Sequence, residues 1–258
     1  MELKKIIEIY QKKSLRVLGE KGFDKILSWS IPGSNQLAYR LSLKRLEKRI
    51  EAESNLSDIL DTAFSFRGFG RYKTIQPSQV KSELYQLAEL VKKNRPSVVM
   101  EIGTKKGGTF YVWSRFLQSV SKMISLDLPG GRFGGGYSKN HISFFNHFSS
   151  DKEMHFIREN SHLESTKREV LKVLGSDQID FLFVDGDHTY EGIKKDFEMY
   201  EPLVAEGGII AFHDICPHPP ETDCEVNRFW DEIKEEHEYK EIVEDWDQGW
   251  AGIGLLLK

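Results

Sequence analysis

The stretch VVMEIGTKKGGTF, residues 98–110, contains the pattern that decides the fold. Its apolar residues before the first glycine predict a short buried strand over residues 98–102. A helical pattern starts at residue 109, after an interruption by three glycines: Gly103, Gly107 and Gly108. A strand that ends in a glycine turn and leads into a helix is where open α/β sheets bind their ligands.

The spacing of these glycines narrows the class of ligand. The dinucleotide fingerprint G-x-G-x-x-G requires a glycine at position 105, where this chain has Lys105. A side chain at that position hinders the close approach of a pyrophosphate to the backbone. The turn therefore predicts a nucleoside cofactor without a pyrophosphate at this point.

Composition excludes several classes of protein. The 258 residues fit one large domain, or a domain with an appendage, and 39% hydrophobic with 29% charged residues is ordinary for a globular protein. A net charge of −4 argues against a general nucleic-acid binder. Two cysteines give no disulfide framework, so we expect a reducing, cytoplasmic compartment. We expect neither a signal peptide nor a membrane span, because no apolar run approaches the ~18 residues that a span requires.

The first 60 residues predict helices with one break, at residues 31–35. This part carries 12 basic and 8 acidic residues, so its net charge is +4. A basic amphipathic segment is compatible with a membrane surface or an acidic partner. We favour a helical N-terminal extension, residues 1–63, that covers the active site or forms a homo-oligomer contact.

The second predicted unit, residues 64–258, alternates strands and helices after a helix over residues 78–94. This rhythm predicts an α/β fold with a doubly wound, mostly parallel, seven-stranded Rossmann-like sheet and an antiparallel hairpin at one edge. The predicted strands are 98–102, 123–128, 154–159, 179–185, 208–213, 240–245 and 252–257. The predicted later helices are 109–120, 163–174, 190–205 and 225–237.

Acidic residues stand where three of these strands end. Asp127 follows the second strand, 24 residues after Gly103, where a carboxylate can accept both hydroxyls of a ribose. The alternative for Asp127 is a turn or helix-capping residue. The fourth and fifth strands end in VDGDHTY, residues 184–190, and AFHD, residues 211–214.

The ends of the fourth and fifth strands meet at the same edge of the sheet as the glycine turn. They bring three carboxylates and two imidazoles together: Asp185, Asp187, Asp214, His188 and His213. Hard divalent cations prefer oxygen ligands, and an imidazole has an ordinary pKa of about 6.5 that suits a general base. We therefore expect a cation site with a base, although aspartates at strand ends also cap helices.

These motifs together resemble those of class I S-adenosylmethionine-dependent methyltransferases. Within that class, the chain resembles the group that holds macrolide sugar O-methyltransferases and the proteins named cephalosporin hydroxylases. The resemblance covers residues 64–258. It rests on residues 101–109, 127–137, 183–192, 207–214 and 250–254.

The resemblance implies a role for each matching residue. S-adenosylmethionine is the implied cofactor, with its ribose on Asp127 and with Asp185 also at the cofactor. His188 is the implied base, and Asp185 acts with it in catalysis. The methionine part lies against Glu101, Gly103, Thr104, Gly107 and Gly108, and the metal is held by Asp185, His213 and Asp214.

One position departs from the family, because the middle metal ligand is usually an acid and here it is His213. Magnesium prefers oxygen, whereas manganese or iron tolerates an imidazole better. His213 therefore argues against magnesium, although the resemblance leaves magnesium or manganese as the expected divalent metal. In the alternative, His213 is a second base or a substrate contact, and only the two aspartates bind metal.

The implied function is a metal-assisted O-methyltransferase that acts on a hydroxyl of a small molecule, such as a sugar or glycoside. The alternatives are a Rossmann-like oxidoreductase or hydroxylase, and a non-catalytic cofactor-binding partner protein.

A lid is expected over residues 130–136. Trp246 and Trp250 are expected to pack in the core. A zinc set of His213, Cys216, His218 and Cys224 is disfavoured, because its prolines predict an exposed loop.

Overall fold

A seven-stranded sheet organises the part of the chain that this computed structural model describes, residues 33–131, 133 and 135–258. The strand order is β3-β2-β1-β4-β5-β7-β6, parallel from β3 to β5, with β7 antiparallel to both of its neighbours. The predicted fold class is confirmed. The strands are β1 (Val98–Ile102), β2 (Lys122–Leu126), β3 (Glu153–Ile157), β4 (Ile179–Val184), β5 (Val204–His213), β6 (Glu238–Ile242) and β7 (Ile253–Leu257).

Helices cover both faces of this sheet. Among the described residues they are α1 (Ser34–Ile50), α2 (Leu56–Ser65), α3 (Lys81–Asn94), α4 (Gly108–Phe116), α5 (Lys139–Phe145), α6 (Glu164–Leu174), α7 (Tyr190–Tyr200) and α8 (Val226–Ile233). No helix in the described ranges is both long and apolar enough to cross a membrane.

Among the element boundaries that differ from the sequence prediction, two have a clear physical reason. The helix predicted over residues 190–205 ends at Tyr200, because Pro202 follows and lacks the amide proton that a helix requires. Strand β5 begins at Val204, earlier than predicted, because Val204 pairs with Ile179 of β4 ahead of a register shift. Lys258 pairs with later residues of β5. The backbone N–H of Lys258 donates to the carbonyl oxygen of Gly208 at 3.1 Å, and Gly207 N–H donates to Lys258 at 2.7 Å.

Both faces of the central strands are buried, as expected for a doubly wound sheet. Alternate residues of β1 enter opposite cores: Val99 packs with helices α1 to α5, and Met100 packs with α6 to α8. The continuous apolar run of β1 follows from this two-sided burial. Because these strands are parallel, their carboxyl ends lie along one edge of the sheet, beside the glycine turn.

The described N-terminal helices share the first of these cores. Ala38, Leu46, Leu60 and Ala63 are fully buried within the same cluster as Val99. The predicted break at residues 31–35 begins outside the described residues, and α1 starts directly after Gly33. The predicted division at residue 63 and a homo-oligomer contact stay predictions.

Candidate active site

The carboxyl ends of β1, β2, β4 and β5 surround a cavity of about 440 Å³. This position lies where the strand order reverses, between β1 and β4, which is where open α/β sheets bind ligands. Six residues predicted for the site line the cavity: Gly103, Asp127, Asp185, His188, His213 and Asp214. The other four, Glu101, Thr104, Gly107 and Gly108, do not line it.

Gly103 forms the turn at the end of β1 because no other residue fits there. Its φ is 95°, in the region that favours glycine, and a Cβ atom would lie 1.9 Å from the carbonyl oxygen of Asp185. The N–H of Asp185 donates to the carbonyl oxygen of Ile102 at 2.8 Å. The turn therefore lies directly against the start of the β4 loop and exposes backbone to the cavity.

Asp127 follows β2 on the same side of the cavity. Its carboxylate accepts a hydrogen bond from the backbone N–H of Lys105, in the glycine turn. Burial raises the pKa of Asp127 to about 6, although the hydrogen bond from Lys105 opposes that rise. The side chain is thus an ionised acceptor at neutral pH, beside the turn, as the ribose prediction requires.

Glu101 lies behind the turn, between β1 and α4. The side chain is fully buried, and Trp113 Nε1–H donates to Glu101 Oε2 at 2.8 Å. Burial raises the pKa of Glu101 to about 8, so the neutral acid predominates at pH 7. Gly108 is also a packing position, because a Cβ atom there would lie 2.3 Å from the carbonyl oxygen of Ile75. The predicted cofactor contacts of these residues stay predictions.

The opposite end of the cavity carries coupled charges. Nδ1 of His213 lies 3.3 Å from Asp185 Oδ1 and 3.2 Å from Asp214 Oδ2. Both ring nitrogens of His213 are buried, and neither has a hydrogen-bond partner among the described residues. Burial opposes protonation of His213, but Asp214 and Asp185 outweigh it and hold its pKa well above the ordinary value.

Asp214 connects these groups. It adopts a φ of 66°, which an aspartate tolerates better than most residues. Its Oδ2 lies 2.8 Å from His188 Nδ1, and its Oδ1 accepts the N–H of Ala251 at 3.0 Å. Despite burial, three neighbouring histidines hold the pKa of Asp214 well below its ordinary value. Burial likewise opposes protonation of His188, yet contacts with Asp214 and Cys224 raise its pKa to about 10.

Asp187 also lines the cavity, but its carboxylate binds Thr189, the residue that caps α7. Its Oδ1 accepts the backbone N–H of Thr189 at 3.0 Å and the Thr189 hydroxyl at 2.8 Å, just before α7. Of the three carboxylates expected to converge, Asp185 and Asp214 therefore face the imidazoles. Asp187 instead orders the loop that carries His188.

Several residues at the site were not assigned to it from the sequence. Gln79 Nε2–H donates to Asp185 Oδ2 at 2.7 Å from the segment before α3, and no sequence pattern indicates this contact. Phe133, in the predicted lid, contacts the ring of His188 at a centroid distance of 4.8 Å. Core packing was wrong for Trp246 and Trp250, which are 49% and 45% exposed, and Trp250 lines the cavity.

The loop after β5 is mostly exposed, as its prolines predicted. Its two cysteines, however, lie in different surroundings. Cys216 is buried, and its Sγ accepts from Gln248 Nε2 at 3.5 Å. Cys224 instead groups with His188 and Asp214. The disfavoured four-residue zinc set therefore does not describe this region.

The sequence over residues 100–215 matches the family described as "Methyltransferase domain". By this match, residues 100–215 are similar to methyltransferase domains. The match includes all ten predicted site residues, from Glu101 to Asp214, and it confirms the predicted resemblance to methyltransferases.

Solved structures share the architecture of this chain. An O-methyltransferase from Bacillus cereus in complex with S-adenosylhomocysteine is 15% identical, with a TM-score of 0.51 over 84% of this chain and 90% of that chain. The O-methyltransferase TomG from Streptomyces achromogenes, in complex with S-adenosylmethionine, is 17% identical, with a TM-score of 0.51 over 85% and 97% of the two chains. At these identities the likeness shows the fold.

The proteins that are similar in sequence align with a smaller part of this chain. The protein named "Uncharacterized protein R132" of Acanthamoeba polyphaga mimivirus is 30% identical over 120 residues, which are 45% of this chain and 50% of R132. The chain spans between 14% and 50% of the length of the curated relatives it matches.

Proposed function

We propose that this chain is an S-adenosylmethionine-dependent O-methyltransferase that acts on a hydroxyl of a small molecule, such as a sugar or glycoside. The observation that carries the proposal is the two-ended cavity, which is lined mainly by residues of the segment that matches methyltransferase domains. Exposed turn backbone and Asp127 lie at one end, and Asp185, His188 and Asp214 lie at the other. The complexes of the structural relatives with S-adenosylmethionine and S-adenosylhomocysteine support the cofactor.

The proposed cofactor end uses groups that accept or donate hydrogen bonds without large side-chain movement. The carboxylate of Asp127 suits the two ribose hydroxyls, since it is ionised and fixed by the Lys105 N–H. The backbone at Gly103 leaves room for the methionine part. When bound, the cofactor supplies an electrophilic methyl group on a sulfonium, and the residues of this end fix its direction.

The proposed reacting end positions the acceptor hydroxyl and manages its proton. Positioning of two reactants alone contributes about 7–11 kcal/mol to lowering a barrier. His188 has a pKa of about 10 beside Asp214, so it holds a proton at neutral pH. It therefore serves as a base only when the negative charge that stabilises this proton is offset.

A divalent cation would supply that offset, and the residues fit one. Donor atoms of Asp185, His213 and Asp214 all lie within 4.8 Å of one another, and His213 has no competing hydrogen bond. We propose that these three residues hold manganese or magnesium. When bound, the cation lowers the pKa of a hydroxyl close to it. Gln79 would keep Asp185 oriented through the hydrogen bond to Oδ2.

The acceptor end of the cavity suits a ring-shaped molecule. Phe133 and Trp250 line it, and Trp250 keeps 45% of its surface exposed. An exposed aromatic face supplies contact area to a sugar ring while the edges of the sugar remain free for polar groups.

We also propose a cytoplasmic location, supported by two free cysteines.

The decisive experiment compares thermal stabilisation of the full chain by S-adenosylhomocysteine and by NAD. A ligand at 100 times its dissociation constant stabilises by about 2.7 kcal/mol, so the correct cofactor gives a clear rise in Tm. We expect the rise with S-adenosylhomocysteine and none with NAD. A rise with NAD alone would mean an oxidoreductase. A screen of hydroxylated acceptors, read by a product mass increase of one methyl group, then identifies the substrate.

A further inference from the structure

A second group of ligand-type side chains lies beside the reacting end, toward the loop over residues 216–225. Donor atoms of His188, Asp214 and Cys224 all lie within 4.8 Å of one another. The thiol in this group has no role in the proposed methyl transfer. Its combination with an imidazole and a carboxylate differs from the set of Asp185, His213 and Asp214, which has no sulfur.

We propose that His188, Asp214 and Cys224 bind a thiophilic divalent cation of the zinc class. Zinc takes nitrogen, sulfur and carboxylate ligands in tetrahedral geometry, and three protein ligands leave a fourth position for water or a substrate. Magnesium binds oxygen and does not select a thiolate. This inference concerns metal binding alone and does not rest on the proposed methyl transfer.

The carboxylate of this site is held in place by other groups. Oδ1 of Asp214 contacts His218 Nε2 at 3.2 Å and accepts the N–H of Ala251 at 3.0 Å. The other ring nitrogen of His218, Nδ1, donates to the carbonyl oxygen of Cys216 at 2.8 Å. Metal-binding carboxylates are commonly fixed by such outer hydrogen bonds. They leave Oδ2, which faces His188, as the oxygen for the cation.

The thiol is brought to this position by the backbone. The N–H of Glu225 donates to the carbonyl oxygen of His188 at 2.8 Å, so the loop folds back onto the segment that carries the imidazole. The N–H of Cys224 donates to the Thr222 hydroxyl at 3.3 Å. Burial opposes ionisation of Cys224, but contacts with His188 and His218 outweigh it and lower the pKa of the thiol. The fold of the loop thus places the thiol beside the imidazole and the carboxylate.

The two cation sites share Asp214, so they are distinguished by their other residues. A cation on Cys224 also engages His188, which would then be unavailable as a base. Zinc at this site and manganese or magnesium on Asp185 would therefore have opposite effects on methyl transfer. Direct binding measurements separate these events without an acceptor.

The test uses cobalt(II) as a spectroscopic probe on the full chain after metal removal. Tetrahedral cobalt bound to a thiolate gives a sulfur-to-cobalt charge-transfer band in the near ultraviolet. We expect that band in the wild type, with one cobalt per chain, and its loss when zinc is added. Excess magnesium should not displace the cobalt. Absence of the band in the wild type would overturn the proposal.

Substitutions at the two cysteines and at neighbouring residues identify the side chains that bind the metal. Cys224→Ser should abolish the band, whereas Cys216→Ala, at the other cysteine, should retain it. Asp185→Asn should leave zinc affinity within a fewfold, and His218→Gln should lower it by about 10–100-fold through the freed carboxylate. Cys224→Ala serves as a second thiol variant, with circular dichroism as the check on folding. A band that survives in folded Cys224→Ser and Cys224→Ala, or that disappears only in Cys216→Ala, would refute the assignment.

Discussion

The two ends of the cavity are built by different means. At the cofactor end, backbone geometry dominates: Gly103 excludes every side chain, and Asp127 is held by a backbone N–H. At the reacting end, side chains from two strand ends and one loop hold each other through charge, with Asp214 among three histidines. The structure of the cofactor end therefore depends on backbone conformation. The structure of the reacting end depends on the protonation of its side chains and on bound cations.

The largest expected effect is at Gly103, where backbone geometry can be tested directly. Gly103→Ala places a Cβ atom 1.9 Å from the Asp185 carbonyl oxygen, so the β1 turn must move. We expect a loss of about 5 kcal/mol in the free energy of unfolding and no measurable binding of S-adenosylhomocysteine. Urea denaturation and calorimetry measure the two quantities.

The matched control is Gly207→Ala. Gly207 also has a positive φ, 76°, but nothing lies within 4 Å of a Cβ atom there. The backbone strain alone costs about 1–3 kcal/mol. If both variants lose the same stability, close approach to Asp185 is not what requires glycine at position 103.

Glu101 tests the buried layer behind the cofactor end. Its folded pKa of about 8 exceeds the ordinary value, so the acid favours the folded state below about pH 4.5, and this contribution is lost as pH rises to about 8. Glu101→Gln removes this pH dependence of the free energy of unfolding, which amounts to about 5 kcal/mol at most. Urea denaturation at pH 5, 7 and 9 should show a smaller decline for the variant than for the wild type.

The exposed Glu198, on α7, supplies the control for loss of one carboxylate. Glu198→Gln should keep the wild-type decline between pH 5 and pH 9. A Glu101→Gln protein with the same decline as the wild type would mean that Glu101 is ionised in the folded state.

Substitutions of Asp127 and Asp185 should affect different quantities, cofactor affinity for Asp127 and turnover for Asp185. Asp127→Asn removes charge-assisted hydrogen bonds worth about 1.5–3 kcal/mol, so affinity for S-adenosylhomocysteine should fall by about 10–100-fold. Wild-type affinity should also weaken as pH falls through about 6, where Asp127 gains a proton, and the variant should lack this dependence. Asp185→Asn should lower turnover and leave most of the affinity.

Asp180 provides a structural aspartate for comparison, because its Oδ2 accepts the N–H groups of Ser97 and Val98 at 2.7 and 2.8 Å. Asp180→Asn should reduce stability and leave cofactor affinity unchanged. Equal losses of affinity in Asp127→Asn and Asp180→Asn would remove Asp127 from the cofactor contacts.

The cofactor end was largely predictable because its signals are local in sequence. An apolar run predicted β1, glycine spacing predicted the turn, and strand length placed Asp127 at the neighbouring strand end. Burial on both sheet faces gave these strands their continuous apolar character. Helix α5 was missed because it has only seven residues and depends on tertiary contacts of Phe144 and Phe145.

The reacting end was predictable only in part. Asp185 and Asp214 directly follow β4 and β5, and His213 is the last residue of β5, so their convergence follows from the parallel sheet. The contacts of Gln79 and Cys224 depend on how distant segments fold back, which no local spacing encodes. The tryptophans of the 245–250 turn were misjudged because a large apolar residue usually indicates burial, whereas Trp250 is exposed beside the cavity.

Trp250 carries the smallest expected effect and tests whether the reacting end also selects the acceptor by shape. Trp250→Ala removes an aromatic face from the cavity wall, so KM for the acceptor identified by product mass should rise by about fivefold to tenfold. Affinity for S-adenosylhomocysteine should not change, because Asp127 and the glycine turn remain. Trp246→Ala is the matched control, since Trp246 is 49% exposed and lies outside the cavity lining. If both variants raise KM equally, the acceptor does not contact Trp250, and the aromatic contribution must come from Phe133 at the lid.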